Sequence, residues 1–136
     1  MSWTEICAYD SLLPETGVCA LVDGVQVAVF RTFDGELHAL GNLDPFSGAY
    51  VLSRGIVGTR KGEPTVASPL HKQVFSLVTG RCLDDESVSV PTYPVRVNAA
   101  GVVEVTLEAP GHEAPAMPGY APVSLSASRV PASAGG

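Results

Sequence analysis

The chain has 136 residues, a formal net charge of −6 and only eight Lys and Arg. That length suits one domain with a core large enough to fold without metal or disulfide staples. Such scattered cations exclude a nucleic-acid binder, because phosphate neutralisation needs clustered Lys and Arg, and no apolar run is long enough for a membrane-spanning helix.

Fourteen glycines and eleven prolines, with no long run of strong helix formers, favour short strands joined by tight turns. The expected class is therefore all-β. The first ten residues carry Glu5 and Asp10 and no basic stretch, so they do not read as a signal peptide, and a cytoplasmic location is expected. Cys7, Cys19 and Cys82 are odd in number, widely spaced and free of any C-x-x-C pair. They read as reduced thiols acting as small buried hydrophobes.

In chain order, residues 3–7 and 18–22 predict the first two strands. Asp23-Gly24 supplies a turn, and residues 25–33 continue as a strand with Val25, Val27 and Val29 on one face. Asp34-Gly35 turns the chain again and residues 36–40 return, completing a three-stranded meander. His38 falls within that last strand, with its side chain expected on a solvent face. Residues 41–48 form a polar loop rich in Asn, Asp, Pro and Ser, and residues 51–59 are mixed in pattern.

Arg60-Lys61-Gly62 predicts a turn, residues 64–67 a strand and residues 68–72 a second polar loop. A strand follows over 73–78, and Asp84-Asp85-Glu86 reads as a charged surface turn. Residues 93–98 and 102–107 alternate with period two and predict a closing hairpin. Past Glu108 the composition changes: residues 109–136 hold five of the eleven prolines and only two charged side chains, Glu113 and Arg129. The expected division is a domain over 1–108 and a Pro/Ala/Ser/Gly-rich tail over 109–136. Composition favours disorder for the tail, the alternative being an arm anchored through Met117, Tyr120, Val123 and Leu125.

The second polar loop reads Ser68-Pro69-Leu70-His71, then Phe75 after three residues and Thr79-Gly80 after three more. This resembles the second cluster loop of Rieske proteins, C-P-x-H-x-x-x-F-x-x-x-T-G. Asn42-Leu43-Asp44, followed by Gly48, stands where the family's C-x-H and its glycine belong. The resemblance implies a Rieske-like sandwich or partial barrel with a subdomain carrying the two loops. It also marks Asn42, Asp44, Ser68 and His71 as the former ligand positions. A Rieske cluster needs two thiolates and two imidazoles. Here only His71 retains its type, so neither a metal nor a 2Fe-2S cluster is expected on this chain. Asp44 and His71 stand at the two family histidine positions, and a hydrogen-bonded pair between them is expected to close the gap.

Further runs sharpen the resemblance: Asp44-Pro45-Phe46-Ser47-Gly48-Ala49, Leu52-Ser53-Arg54-Gly55-Ile56-Val57-Gly58, and Cys82-Leu83-Asp84-Asp85-Glu86. In order and spacing they are similar to the small subunits of assimilatory NAD(P)H nitrite reductases, in which the Rieske scaffold has commonly lost its cluster. The resemblance implies a large catalytic partner carrying FAD, a 4Fe-4S cluster and sirohaem, which reduces nitrite to ammonium, and a small subunit acting by association. Two other readings stand beside it, a genuine Rieske-type 2Fe-2S electron carrier and a stand-alone binding module.

No catalytic residue is expected here. Ser68, His71 and Asp44 lack the signatures of a hydrolase triad, and the glycines form neither a phosphate loop nor a dinucleotide fingerprint. The expected partner-binding surface combines Arg54, Lys61 and Lys72 with the apolar Phe46, Tyr50 and Leu70, a core-and-rim pattern around the two loops.

Overall fold

The turns set the frame of the computed structural model, which describes residues 2–108. The expected tail lies outside the described residues. Asp23 and Gly24 both take positive φ, 48° and 84°, as a two-residue hairpin turn requires, and Val22 pairs with Val25 across it. Lys61 and Gly62 repeat the device at 53° and 84°, pairing Arg60 with Glu63.

Ten strands result among the described residues: β1 (Thr4–Ala8), β2 (Thr16–Val22), β3 (Val25–Arg31), β4 (Leu37–Gly41), β5 (Ile56–Arg60), β6 (Glu63–Ala67), β7 (Val74–Ser76), β8 (Thr92–Tyr93), β9 (Val95–Val97) and β10 (Val102–Val105). Among the described residues helix is limited to two 3-10 turns, Tyr9–Ser11 and Leu52–Arg54. None is long and apolar enough to cross a membrane. The mixed stretch at 51–59 thus resolves into a 3-10 turn followed by β5.

All pairings are antiparallel, in three sheets ordered β1-β10-β9, β2-β3-β4-β8 and β5-β6-β7. The expected meander is present as β2-β3-β4. The strand expected over 93–98 is divided at Pro94, which lacks an N–H for the ladder. Tyr93 pairs with Ala39 in one sheet and Val95 with Val105 in another, so the chain changes sheets there.

The middle sheet is covered on both faces. Val27 and Val29 of β3 join Leu12, Val22, Ala39, Val103 and Val105 in one core. Ala28 and Phe30 face the opposite way, into a second core with Leu40, Leu52, Val66, Phe75, Leu77, Cys82 and Val90. The alternation is real, yet the second face is apolar too, as expected of a strand buried on both sides. His38, expected on a solvent face, is only 17% exposed. It stands opposite Phe30, on the side of the second core.

Candidate functional site

Two loops meet at one end of the β5-β6-β7 sheet. The first follows β4 and begins at Asn42, and the second follows β6 and begins at Ser68. β5 lies alongside the second loop, because Ile56 pairs with Ala67. Gly55 makes that approach possible: a Cβ there would stand 2.4 Å from the Ala67 carbonyl oxygen.

Asn42 is buried and its amide is fully used. Its Nδ2 donates to the Gln26 Oε1 and the Tyr50 carbonyl, both at 3.1 Å, and lies 3.4 Å from the Cys19 Sγ. Its Oδ1 accepts from the Ser53 N–H at 2.7 Å. One side chain therefore ties β2, β3, the first loop and the 3-10 turn together. Burial raises the Cys19 thiol pKa.

Asp44 is completely buried and joins the two loops directly. Its Oδ2 accepts from the Ser68 hydroxyl at 2.6 Å and its Oδ1 from the Phe46 N–H at 2.9 Å. The Asp44 N–H donates to the Ala49 carbonyl and the Asp44 carbonyl accepts from Gly48, both at 2.8 Å, so the first loop closes on itself.

The expected Asp44–His71 pair does not form. Ser68, at the base of the second loop, takes the place of His71 as the partner of Asp44. The reason is local geometry. The Lys72 N–H returns to the Ser68 carbonyl at 3.0 Å with Lys72 at φ 63°, a tight turn that leaves Leu70, His71 and Lys72 on its exposed outer side. Of the four positions that the resemblance aligned with cluster ligands, Asn42, Asp44 and Ser68 are buried and bonded, while His71 is at the surface.

These residues do not fit a 2Fe-2S cluster. The donors are an amide, a carboxylate, a hydroxyl and one exposed imidazole, with no thiolate among them, and the three buried ones already hydrogen-bond within the protein. Cys19, expected as a buried thiol, is exposed, and it reaches the first loop only as one thiol beside an amide. Cys82 is buried in the second core with its pKa raised by burial, and Cys7 lies in β1. Among the described residues no three His, Cys, Asp or Glu are grouped to hold a metal.

The residues expected at a partner surface divide. Tyr50 and Leu70 are 54% and 53% exposed at the loop end, and Arg54 and Lys72 are exposed there too. Phe46 turns inward, half-buried against Phe75 with ring centroids 6.1 Å apart. Lys61 sits in the β5–β6 hairpin turn, at the far end of the five-residue strand that leads to Ser68, roughly 16 Å away at about 3.3 Å per residue. Ile56, which sequence reasoning passed over, is 71% exposed at the start of β5 and belongs to the loop end. The charged turn is partly structural: Asp84 accepts from the Val74 N–H at 2.8 Å and pairs with Arg60 at 3.3 Å.

Three antiparallel sheets, with two apposed loops that follow β4 and β6, define a Rieske-type scaffold. The family model for the Rieske-like [2Fe-2S] domain matches residues 2–106. The ferredoxin of carbazole 1,9a-dioxygenase from Nocardioides aromaticivorans superposes with a TM-score of 0.67 at 26% identity, over 77% of this chain and 97% of its own. A crystal structure assigned to an NADH-dependent nitrite reductase small subunit from Mycobacterium tuberculosis superposes with a TM-score of 0.74 at 59% identity, over 76% of this chain and 92% of that one. The NADH nitrite reductase small subunit of Escherichia coli K12 is 49% identical over 104 residues, 76% of this chain and 95% of its own length. The NAD(P)H nitrite reductase large subunit of Klebsiella oxytoca contains a stretch 43% identical over 95 residues, covering 70% of this chain but 10% of that protein. The chain belongs to the Rieske-like family, in its branch of nitrite reductase small subunits.

Proposed function

We propose that this chain is the non-catalytic small subunit of a cytoplasmic NAD(P)H nitrite reductase and acts by binding the large catalytic chain. The observation that carries the reading is a Rieske scaffold, 49% identical to a nitrite reductase small subunit, whose cluster positions hold Asn42, Asp44 and Ser68 in internal hydrogen bonds. A chain without cluster ligands has no route for electrons, and association is the role left to it. The Klebsiella large subunit supports that role, because there a stretch similar to this chain is part of the large chain itself. FAD, a 4Fe-4S cluster and sirohaem belong to the partner in this reading, which takes electrons from NAD(P)H and reduces nitrite to ammonium for nitrate assimilation.

The docking surface is the loop end. Tyr50, Ile56 and Leu70 supply exposed apolar area, and Arg54 and Lys72 form no ion pair among the described residues. On a chain of net charge −6 these cations favour an apolar partner surface with an acidic rim. Phe46 and Lys61, oriented inward and at the opposite end, contribute nothing to it.

The test is reconstitution of the large chain with and without this one, following nitrite-dependent NAD(P)H oxidation and co-migration on a sizing column. A stable complex with raised or longer-lived activity is expected. A large chain that neither binds this one nor responds to it sinks the reading. Once a complex is in hand, Arg54→Glu with Lys72→Glu should weaken it and Lys61→Glu should not.

A further inference from the structure

An open sheet edge leads away from the loop end. β5 is the outer strand of its sheet, paired with β6 on one side and with no strand on the other among the described residues. The two-residue turn at Lys61-Gly62 makes Arg60 and Glu63 the hydrogen-bonded pair that closes the hairpin, so Val57 and Thr59 hold the alternate positions. Pro64 fits that register. It stands opposite Thr59 with no N–H to donate, and its carbonyl accepts from the Leu77 N–H at 2.9 Å on its other side. The N–H and C=O groups of Val57 and Thr59 are therefore directed away from β6, along the uncovered edge.

That edge is one wall of a groove of about 400 Å³. The opposite wall is the turn between β3 and β4, where Phe33 is 72% exposed. Three carboxylates line the groove, Glu15, Asp34 and Glu36, and no Lys or Arg does. Glu15 and Asp34 form no ion pair among the described residues. Gly58 presents no side chain at the middle of the edge, and a Cβ there would meet nothing nearer than 3.8 Å.

A row of unpaired N–H and C=O groups accepts an added strand through main-chain hydrogen bonds, and the side chains beside it select which strand. Here they select for positive charge: Lys or Arg of an extended segment would meet the carboxylates, and a guanidinium or apolar side chain would lie on the Phe33 ring. A second copy of this chain is a poor occupant, because it brings a net charge of −6 to an acidic groove. β5 also joins this groove to the loop end. It starts at Ile56, near the cations Arg54 and Lys72, and leads into the acidic groove, so one continuous surface carries opposite charges along its length. We infer that a basic, extended segment of the large chain adds as a further strand to the open edge of β5, beside Phe33. This rests on the reading of the chain as a nitrite reductase small subunit, and it gives the large chain a second contact whose charge fixes the direction of docking.

Amide hydrogen exchange on this chain, alone and in complex with the large chain, tests it. The Thr59 amide should exchange at least about tenfold more slowly in the complex. Thr59→Pro removes the outward N–H and spares the β5–β6 ladder, so it should raise the Kd about tenfold with little change in melting temperature. Glu15→Lys with Glu36→Lys should also weaken binding, most strongly at low salt. If Thr59→Pro unfolds the domain, exchange on the unaltered chain still decides. A complex in which the Thr59 amide exchanges at its free rate overturns this inference and leaves the small-subunit reading standing. So does a folded Thr59→Pro chain that binds as tightly as the parent. A large chain that does not bind at all overturns both.

Discussion

The two ends of the domain are held by different forces. Around β3 the scaffold is closed by apolar burial on both faces, with Val27, Val29, Ala28 and Phe30 fully buried. At the loop end, where Rieske proteins place iron and sulfide, closure comes from hydrogen bonds: Asp44 to Ser68 across the loops, and Asn42 to Tyr50, Ser53 and Gln26 around them. The framework is thus closed by apolar packing and the loop end by a polar clasp. The clasp suffices because Asn42, Asp44 and Ser68 each find a partner, and its cost appears only when one partner is removed.

Substitutions at the two ends sharpen this contrast. The largest loss is expected in the framework, where Phe30→Ala should cost about 3–5 kcal/mol in urea denaturation, the range for deleting a buried aromatic. Asn42→Ala should come next, at about 2–4 kcal/mol, because it leaves the Ser53 N–H and the Tyr50 carbonyl without their side-chain partner. A loss as small as that of an exposed residue would mean the first loop is held some other way.

Ser68→Ala removes the hydroxyl that donates to the Asp44 Oδ2 and should cost about 1–3 kcal/mol. A double-mutant cycle with Asp44→Ala should show coupling, and simple additivity would contradict a direct bond.

Acid should act mildly and on the framework turns. The Thr32 hydroxyl beside Asp34, the Ser87 hydroxyl beside Asp85 and the Asn98 amide beside Glu104 hold these carboxyls below their usual range. Folded values below unfolded ones contribute stability that is present above the unfolded pKa of about 4 and lost as pH falls through the folded values. Melting temperature should therefore be insensitive to these groups from pH 7 to about 5 and decline below about 4. A steady rise on acidification would reverse the sign. His71→Ala should change least, within about 0.5 kcal/mol, because the side chain is exposed and makes no hydrogen bond among the described residues.

The same contrast explains what the sequence made legible. The meander could be read because Val25, Val27 and Val29 alternate and Asp23-Gly24 encodes its own turn. The pairing of β1 with β10 could not, since it joins residues about a hundred positions apart with no local signal. Motif spacing aligned Asn42, Asp44, Ser68 and His71 with the family's ligand positions but did not show how they bond. Spacing aligned Asp44 with His71, whereas the fold chose Ser68, since the turn at Lys72 places the loop's base inside and its apex outside. One clue was present in β3, where Gln26 interrupts an otherwise apolar run: a lone amide there is an expected partner for a buried polar group such as Asn42. Phe46 was misjudged because a half-buried loop aromatic and an exposed one look alike until Phe75 is placed beneath it.

We propose that the hydrogen bonds of Asn42, Asp44 and Ser68 occupy the place that an iron–sulfur cluster takes in Rieske proteins. Iron and acid-labile sulfide analysis of the full-length chain, purified without air and examined by EPR after reduction, tests it most directly. The account predicts a colourless protein with no stoichiometric iron or sulfide. Stoichiometric amounts of both, with a Rieske-type signal in the reduced state, would contradict it.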